Sequence, residues 1–137
     1  MTDMIPFRIS FQPGTSIYEQ VVYAAKKALI SGKISPGEPF PSVRALSKAL
    51  KINPNTAHKV ITALISEGFI EVHPGLGTVV ADKLPSTADE RAHLLKNEVE
   101  QLVVEAKRLG LSLDEITGAI EGHWNRLEGT MRSSRRR

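Results

Sequence analysis

Apolar and polar positions recur with helical spacing between residues 53 and 68, which predicts a helix. The interpretation of the rest of the chain depends on this helix. One side is apolar, at Ala57, Val60, Ile61, Leu64 and Ile65. The opposite side is polar and carries no carboxylate, at Asn55, His58, Lys59, Thr62 and Ser66. Asn53 is predicted to cap the helix, Pro54 to begin it and Gly68 to end it. Such a helix can pack on a small core and present its polar face to a DNA major groove, although an ordinary solvated face has the same pattern.

An extended arm, one amphipathic helix and a loop precede this stretch. Residues 1–14 are predicted to be a short strand or a segment laid on the core, because three apolar side chains alternate with polar ones: Phe7, Ile9 and Phe11. Ser16 and Glu19 form a capping-box pattern that starts a helix, and Gly32 ends it. Residues 33–41 contain three prolines and a glycine and are therefore predicted to be a loop.

A second short helix lies between that loop and the helix of residues 53–68. Ser42 is predicted to cap it, and its apolar face consists of Val43, Leu46 and Leu50. A two-residue link, Lys51-Ile52, joins the two helices. Two short helices connected in this way form the helix-turn-helix pattern.

A β-hairpin is predicted directly after the helix-turn-helix. Phe69–Val72 and Thr78–Val80 are rich in β-branched and aromatic residues, and the turn between them contains Gly75 and Gly77. A hairpin at this point is the wing of a winged helix. Glycine at position 75 permits close approach of the backbone to a phosphate or to the floor of a minor groove, although both glycines could equally serve turn geometry alone.

The remaining chain predicts a linker over residues 83–87, two amphipathic helices over residues 88–131 and a basic, disordered tail over residues 132–137. Capping boxes at Thr87 and Ser112 start the two helices, which fold back as an antiparallel hairpin. Two helices of this length expose too much apolar surface to stand alone, and a second copy of the chain is the simplest partner. The predicted dimerisation residues are Leu95, Val99, Leu102, Leu109, Ile116, Ile120, Trp124 and Leu127. Packing of the hairpin on its own N-terminal domain is the alternative.

Composition narrows the function classes. The 137 residues carry a net charge of +3; residues 1–87 hold nine Lys/Arg against six Asp/Glu, while residues 88–137 hold nine of each. The N-terminal part is therefore the candidate for a polyanionic partner. The chain has no cysteine, which excludes disulfides and thiolate metal sites. Neither a membrane-spanning run nor a secretory signal is visible, so a cytoplasmic protein without a membrane partner is expected.

The run from Pro41 to Val80, P-S-V-R-A-L-S-K-A-L-K-I-N-P-N-T-A-H-K-V-I-T-A-L-I-S-E-G-F-I-E-V-H-P-G-L-G-T-V-V, resembles the DNA-binding domain of GntR-type bacterial transcription regulators. The resemblance covers about residues 7–82 and implies a winged helix-turn-helix domain, which with the N-terminal arm is predicted to span residues 1–82. The segment from Ala106 to Ile116 is similar to the short C-terminal tail of the YtrA subfamily, for which a dimerisation role is implied. The fold class expected is mainly α, with a small β-hairpin wing.

The resemblance also implies which residues contact DNA. Arg44 would reach a base edge, typically a guanine, and Ser42 would hold a phosphate. The third helix would contact DNA from Pro54, Asn55, Thr56 and His58, and the wing would enter the minor groove at Gly75. Pro54 and His58 stand where arginine is often found in the family. The helical face itself adds Lys59 and Thr62.

The sequence can be interpreted in terms of three function classes. A homodimeric, sequence-specific transcription regulator, acting as a repressor on a palindromic operator, is favoured, with double-stranded DNA as its partner. A winged-helix module that binds an acidic protein is the alternative. Catalysis is disfavoured because the four histidines show no metal-ligand spacing and no nucleophile motif is present, and no cofactor is expected. A small-molecule effector of unknown identity, bound between two copies, is one hypothesis for how DNA binding is switched.

Overall fold

A computed structural model describes residues 5–84 and 86–128 of the chain. Its internal contacts divide these residues into two units, residues 5–84 and residues 86–127, and the boundary falls within the predicted linker. Four parts of the predictions lie outside the described residues: the start of the arm (residues 1–4), Pro85 of the linker, the end of the predicted hairpin (residues 129–131) and the basic tail. The described chain contains no helix long and apolar enough to cross a bilayer.

The N-terminal unit contains three helices and a two-stranded antiparallel sheet. In chain order these are α1 (Ile17–Ile30), α2 (Val43–Leu50), α3 (Pro54–Ser66), β1 (Ile70–His73) and β2 (Gly77–Val80). β1 pairs with β2 in register from Ile70 opposite Val80 to His73 opposite Gly77. The predicted mainly helical fold with a small β-hairpin wing is confirmed.

Helix α3 begins and ends where its local signals predict. The side chain of Asn53 accepts a hydrogen bond from the Asn55 backbone N–H at 2.7 Å, and Pro54 occupies the first turn. At the other end Gly68 adopts a φ of +83°, and the next amide, that of Phe69, donates to the Leu64 carbonyl at 2.9 Å. This left-handed ending satisfies carbonyls that would otherwise be unpaired and turns the chain towards the wing.

The core of the N-terminal unit lies between the three helices and the inner face of the wing. Its fully buried large side chains are Leu29, Leu46, Leu64, Ile70, Val21 and Val60. The N-terminal arm contributes through Phe7, which is buried and stacks on Phe40 with ring centroids 6.5 Å apart. The arm forms no strand over its described residues, so the second of its two predicted forms, a segment laid on the core, is the one observed. Gln20 fixes the end of the arm by exchanging hydrogen bonds with the backbone of Gln12 at 2.9 Å each.

The loop before α2 pairs with the outer edge of β2. The Phe40 amide donates to the Thr78 carbonyl, the Val80 amide to the Glu38 carbonyl and the Gly37 amide to the Val80 carbonyl, at 2.8–2.9 Å. The sequence predicted a loop at residues 33–41 without this pairing, because the hydrogen-bond partners lie about 40 residues away along the chain. The wing is thus anchored to the segment that leads into α2.

The turn between α2 and α3 contains a residue in a strained conformation. Lys51 has φ +58° and ψ +48°, the left-handed region, and among the described residues it is the one non-glycine residue with a positive φ. The Ser47 hydroxyl donates to the Ile52 carbonyl at 2.8 Å across this turn, and the Ile52 amide donates to the Ser47 carbonyl at 3.1 Å. These bonds hold the angle between α2 and α3.

Replacing Lys51 by glycine is expected to raise the free energy of unfolding by about 0.5–1 kcal/mol. A left-handed conformation costs an L-residue about 1–2 kcal/mol, and the greater freedom of glycine in the unfolded chain offsets part of the gain. Thermal or urea unfolding of the purified protein measures the change. Lys51→Ala removes the same charge but keeps the β-carbon, so it should not stabilise the protein. Equal stability of the two variants would contradict a strained turn.

The C-terminal unit is helical throughout. It contains α4 (Ala88–His93), a π-helical segment (Leu94–Glu98), α5 (Val99–Arg108) and α6 (Leu113–Arg126). The capping boxes predicted at Thr87 and Ser112 are both confirmed, each with reciprocal bonds to the glutamate three residues later. The first predicted helix is therefore present, but a π turn interrupts it, in which the Val99 amide bonds to the Leu94 carbonyl.

The turn between α5 and α6 is tight. Gly110 has a φ of +77°, and the Leu111 amide donates to the Ala106 carbonyl at 2.9 Å, which closes the end of α5. Glu105 accepts a hydrogen bond from Nε of Arg108 at 2.9 Å, and this bond raises the pKa of the Arg108 guanidinium. The positive charge in the last turn is favourable against the helix dipole.

Candidate nucleic-acid interface

The polar face of α3 points away from the core. Ala57, Val60 and Leu64 are buried completely, while the side chains on the other side are exposed: Asn55, His58, Lys59, Thr62 and Ser66. A helix held by an apolar stripe in this way presents a row of hydrogen-bonding side chains to whatever approaches the unit. The row is free of carboxylates, so a polyanion meets no repulsion from α3 itself.

The carboxylate that follows α3 is neutralised within the unit. Glu67 forms an ion pair with Lys26 of α1, with Nζ 2.7 Å from Oε1, and the same ammonium group lies 5.2 Å from the ring centroid of Phe69. Both side chains of the pair are partly exposed, so its contribution to stability is at most about 1 kcal/mol. Its larger consequence is electrostatic, since the negative charge at the C-terminal end of α3 is compensated.

A shallow groove runs along the polar face of α3. Its volume is about 440 Å³, and it is lined by Tyr18, His58, Lys59, Thr62, Ala63 and Ser66. Tyr18, from the first turn of α1, is the residue that the sequence reasoning missed. The positions of apolar residues along α1 do not distinguish Tyr18 from the residues that pack in the core. Tyr18 lies beside α3 because α1 packs on α3, and this contact cannot be predicted from α1 alone. The groove therefore combines one ammonium group with hydroxyl and imidazole groups on a single surface.

The start of α2 offers two further polar groups. The Ser42 hydroxyl oxygen accepts from the Ala45 amide at 3.0 Å, which leaves its own O–H available to donate to a ligand. Arg44 lies in the first turn and is exposed. Its guanidinium forms no hydrogen bond or ion pair with the described part of the chain. Arg44 is therefore available for bidentate bonding to a planar acceptor.

The structure places the nine predicted DNA-binding residues on three neighbouring elements of the N-terminal unit. The sets are Ser42 and Arg44 at the start of α2, Gly75 in the turn of the wing, and Pro54, Asn55, Thr56, His58, Lys59 and Thr62 on α3. Thr56 is half-buried and the other eight are exposed. Helix α3 packs against both α2 and β1, so one packed unit carries all nine.

The C-terminal unit presents a different kind of surface. Ala106 is the one buried apolar residue of its described part. Of the eight predicted dimerisation residues, six are exposed: Leu95, Val99, Leu102, Leu109, Ile120 and Trp124. The other two, Ile116 and Leu127, are half-buried. Further apolar side chains, not among the predicted eight, are also exposed at Leu94, Val103, Val104, Leu111 and Leu113. This density of exposed apolar surface far exceeds what single scattered residues produce.

Comparison with known proteins identifies the family. The model of the family described as "Bacterial regulatory proteins, gntR family" matches residues 17–80. The chain is also 33% identical over 110 residues to the HTH-type transcriptional repressor YtrA of Bacillus subtilis, covering 80% of this chain and 85% of that protein. The chain belongs to the GntR family. The predicted resemblance to YtrA is confirmed as well, since this relative is matched across both units.

Two further proteins extend the comparison. The uncharacterized regulator YhcF of Bacillus subtilis is 30% identical over 111 residues, covering 81% of this chain and 92% of that protein. A crystal structure described as a transcriptional antiterminator from Listeria monocytogenes superposes with a TM-score of 0.78 at 25% identity, covering 90% of this chain and 92% of that one. The chain is thus a transcription regulator of the GntR family, and these relatives are regulators rather than enzymes.

Proposed function

We propose that this protein is a homodimeric, sequence-specific DNA-binding repressor of transcription that acts on a palindromic operator in the cytoplasm. The observation that carries the proposal is the exposed polar face of α3, which has a lysine, a histidine, an asparagine and hydroxyl groups but no carboxylate. In a helix-turn-helix this face enters the major groove.

Base reading is proposed for two elements. Asn55 and its neighbours in the first turns of α3 lie where a recognition helix contacts base edges. Arg44 adds a guanidinium fork, which matches O6 and N7 of guanine in the major groove. Its lack of a partner within the described chain supports this role, because no existing bond has to be broken when DNA binds.

Phosphate contacts are proposed for the groups around this reading surface. The Ser42 hydroxyl can donate to a phosphate oxygen while its oxygen caps α2. Lys59 supplies a positive charge on the rim of the groove lined by Tyr18 and Ser66, which bring two more hydroxyl donors. These contacts would position the protein on the duplex without reading sequence.

Dimerisation is proposed for the C-terminal unit. Its exposed leucines, valines and Trp124 form an apolar surface whose contact with water is energetically unfavourable. A second copy of the chain can bury that surface. A dimer with two-fold symmetry presents two α3 helices, so the matching operator has two inverted half-sites. The match to YtrA, described as a repressor, supports the direction of regulation proposed here.

Selection of DNA from a random pool tests the proposed function. The purified protein is mixed with duplexes that contain a randomised central segment, and bound duplexes are recovered, amplified and sequenced. We expect an inverted repeat, with half-sites about one helical turn apart. If each protomer makes even one ionic phosphate contact, affinity for the selected duplex should fall at least about tenfold between 50 and 200 mM salt.

The alternative function, docking of an acidic protein without sequence-specific DNA binding, predicts a different outcome. The recovered pool would then contain no enriched repeat, and duplexes from that pool would bind no more tightly than duplexes of scrambled sequence at any salt concentration. That result would refute the proposed function.

A further inference from the structure

The tip of the wing carries an apolar side chain. Leu76 is 72% exposed and lies between Gly75 and Gly77 in the turn that joins β1 to β2. Its amide donates to the His73 carbonyl at 2.9 Å, which fixes the turn. Because glycine flanks it on both sides, Leu76 is the one side chain that extends from this stretch of three residues. Single exposed leucines are common on protein surfaces, so exposure alone does not indicate a function for Leu76. Its position at the tip of the wing is the feature that does.

The two glycines serve the shape of the turn rather than packing within the chain. Their φ angles are +82° and +89°, and a β-carbon built on either would meet no atom of the described chain within 4 Å. The space around the tip is therefore open on both sides of Leu76. A narrow tip of this form can enter a groove that a tip with three side chains could not.

The wing, residues 70–80, contains no lysine or arginine with which to bind phosphate. Its charged and titratable groups are Glu71 and His73, which contact each other with Oε1 3.1 Å from Nε2. A wing that contacts DNA with this composition has no lysine or arginine to pair with the phosphate backbone, so its contact must come from apolar and hydrogen-bonding groups.

A DNA minor groove offers a matching apolar surface. Its walls are the C–H faces of the deoxyribose rings, and leucine is among the side chains that proteins insert there between base steps. A·T pairs leave the floor open, whereas a G·C pair adds the guanine N2 amino group at the place where an apolar side chain would rest. The chemistry of the tip therefore favours A·T pairs, and flexible steps such as TA.

We propose that Leu76 is a specificity-determining residue that contacts the minor groove and selects A·T pairs next to the base pairs contacted by α3 in each half-site. The inference rests on the proposed function and adds to it the base preference of the wing. Because the contact is apolar, it discriminates by groove shape and by the absence of the N2 amino group. It adds nothing to the salt dependence of binding.

The first test compares three variants on the duplex that the wild-type protein selects. Leu76→Ala should weaken binding about five- to tenfold, as expected when a leucine partly covered by the groove is cut back to a methyl group. Leu76→Met keeps the apolar volume and should bind within about twofold of wild type. Val72→Ala is the matched control, since Val72 is another exposed apolar residue of the hairpin, at 62%, but lies in β1 rather than at the tip. It should leave affinity unchanged.

The second test changes the DNA instead of the protein. Flanking A·T pairs of the selected duplex are replaced by G·C pairs or by inosine·cytosine pairs, which resemble G·C in the major groove but lack the N2 amino group in the minor groove. Wild type should lose about five- to tenfold on G·C and almost nothing on inosine·cytosine. Leu76→Ala should bind all three duplexes alike, with an unchanged slope of affinity against salt.

The outcomes separate this inference from the proposed function. If the wild-type protein selects no sequence, the proposed function fails and the inference with it. The proposed function would hold and the role of Leu76 would be refuted by either of two results obtained with a protein that selects an inverted repeat. One is a Leu76→Ala variant that binds as tightly as wild type; the other is equal affinity of both proteins for the G·C and inosine·cytosine duplexes. Thermal unfolding of the variants should match wild type, because Leu76 contributes nothing to the core.

Discussion

Trp124→Glu is expected to convert the proposed dimer into monomers and to weaken binding to a two-half-site duplex by about 10²- to 10⁴-fold, the advantage that linking two binding modules provides. Trp124 is 69% exposed on α6, and Ile120 lies one turn before it on the same apolar face. Tryptophan is enriched among the residues that dominate interface energies. A carboxylate at this position would have to be buried without a partner for the dimer to form.

Asn125→Glu provides the matched control. Asn125 is the next residue of α6, is exposed on the polar side, and lies one residue nearer the C-terminal end of the helix. The change in charge is therefore the same, and its effect on the helix dipole is closely similar. Light scattering after size-exclusion chromatography should give a mass of one chain for Trp124→Glu and two chains for Asn125→Glu.

The proposed dimer would be refuted if the wild-type protein had the mass of one chain in solution. It would also be refuted if Trp124→Glu kept both the wild-type mass in solution and the wild-type affinity for DNA. A duplex with a single half-site provides the complementary check. On that duplex the two variants should bind equally weakly, because the second protomer has no site to occupy.

Arg44→Ala is expected to weaken binding to the selected duplex by about 5- to 150-fold, which corresponds to the roughly 1–3 kcal/mol that one bidentate arginine–guanine contact contributes. Affinity for a scrambled duplex should fall far less. The free energy of unfolding should not change, because the guanidinium forms no hydrogen bond or ion pair with the described residues.

Arg44→Lys separates charge from geometry at the same position. Lysine keeps the positive charge but cannot form the planar fork. If Arg44 reads a base, Arg44→Lys should lose most of the selectivity between selected and scrambled duplexes while keeping most of the non-specific affinity. Quantitative gel shifts on both duplexes measure the two quantities. Loss of binding to both duplexes in equal proportion would instead assign Arg44 to a phosphate.

The parts of the fold with strong local signals were predictable from the sequence. Asn53, Pro54 and Gly68 delimit α3 within two residues of its observed bounds, and the capping boxes at Thr87 and Ser112 start α4 and α6 as predicted. The capping hydrogen bonds behind these signals join residues two to five positions apart, so the signals are local and can be recognised without knowing the rest of the fold.

The features that depend on contacts distant in sequence were not predictable. The pairing of residues 37–40 with β2 is one example, and the left-handed Lys51 is another, since a lysine gives no local indication of a positive φ. The π turn at Leu94–Glu98 also escaped, because the spacing of apolar residues around it fits an ordinary helix.

For the candidate site, the sequence indicated the polar face of α3 but not the groove that lies beside it. The period of 3.6 residues placed His58, Lys59 and Thr62 on one side of α3, and the structure exposes all three. The groove beside them depends on the packing of α1, which no pattern within α3 can report. Tyr18 was missed for that reason.

Main-chain hydrogen bonds between residues 37–40 and β2 tie the wing to the segment that enters α2 only three residues later. Within one protomer the distance from Arg44 to the wing is thus set by backbone, and a bound small molecule could not alter it without breaking those bonds. In the proposed dimer, a signal that releases DNA would instead act by changing the separation of the two protomers' winged domains. In hydrogen exchange, the amides of Gly37, Phe40 and Val80 should stay equally protected whether the protein is free or bound to DNA.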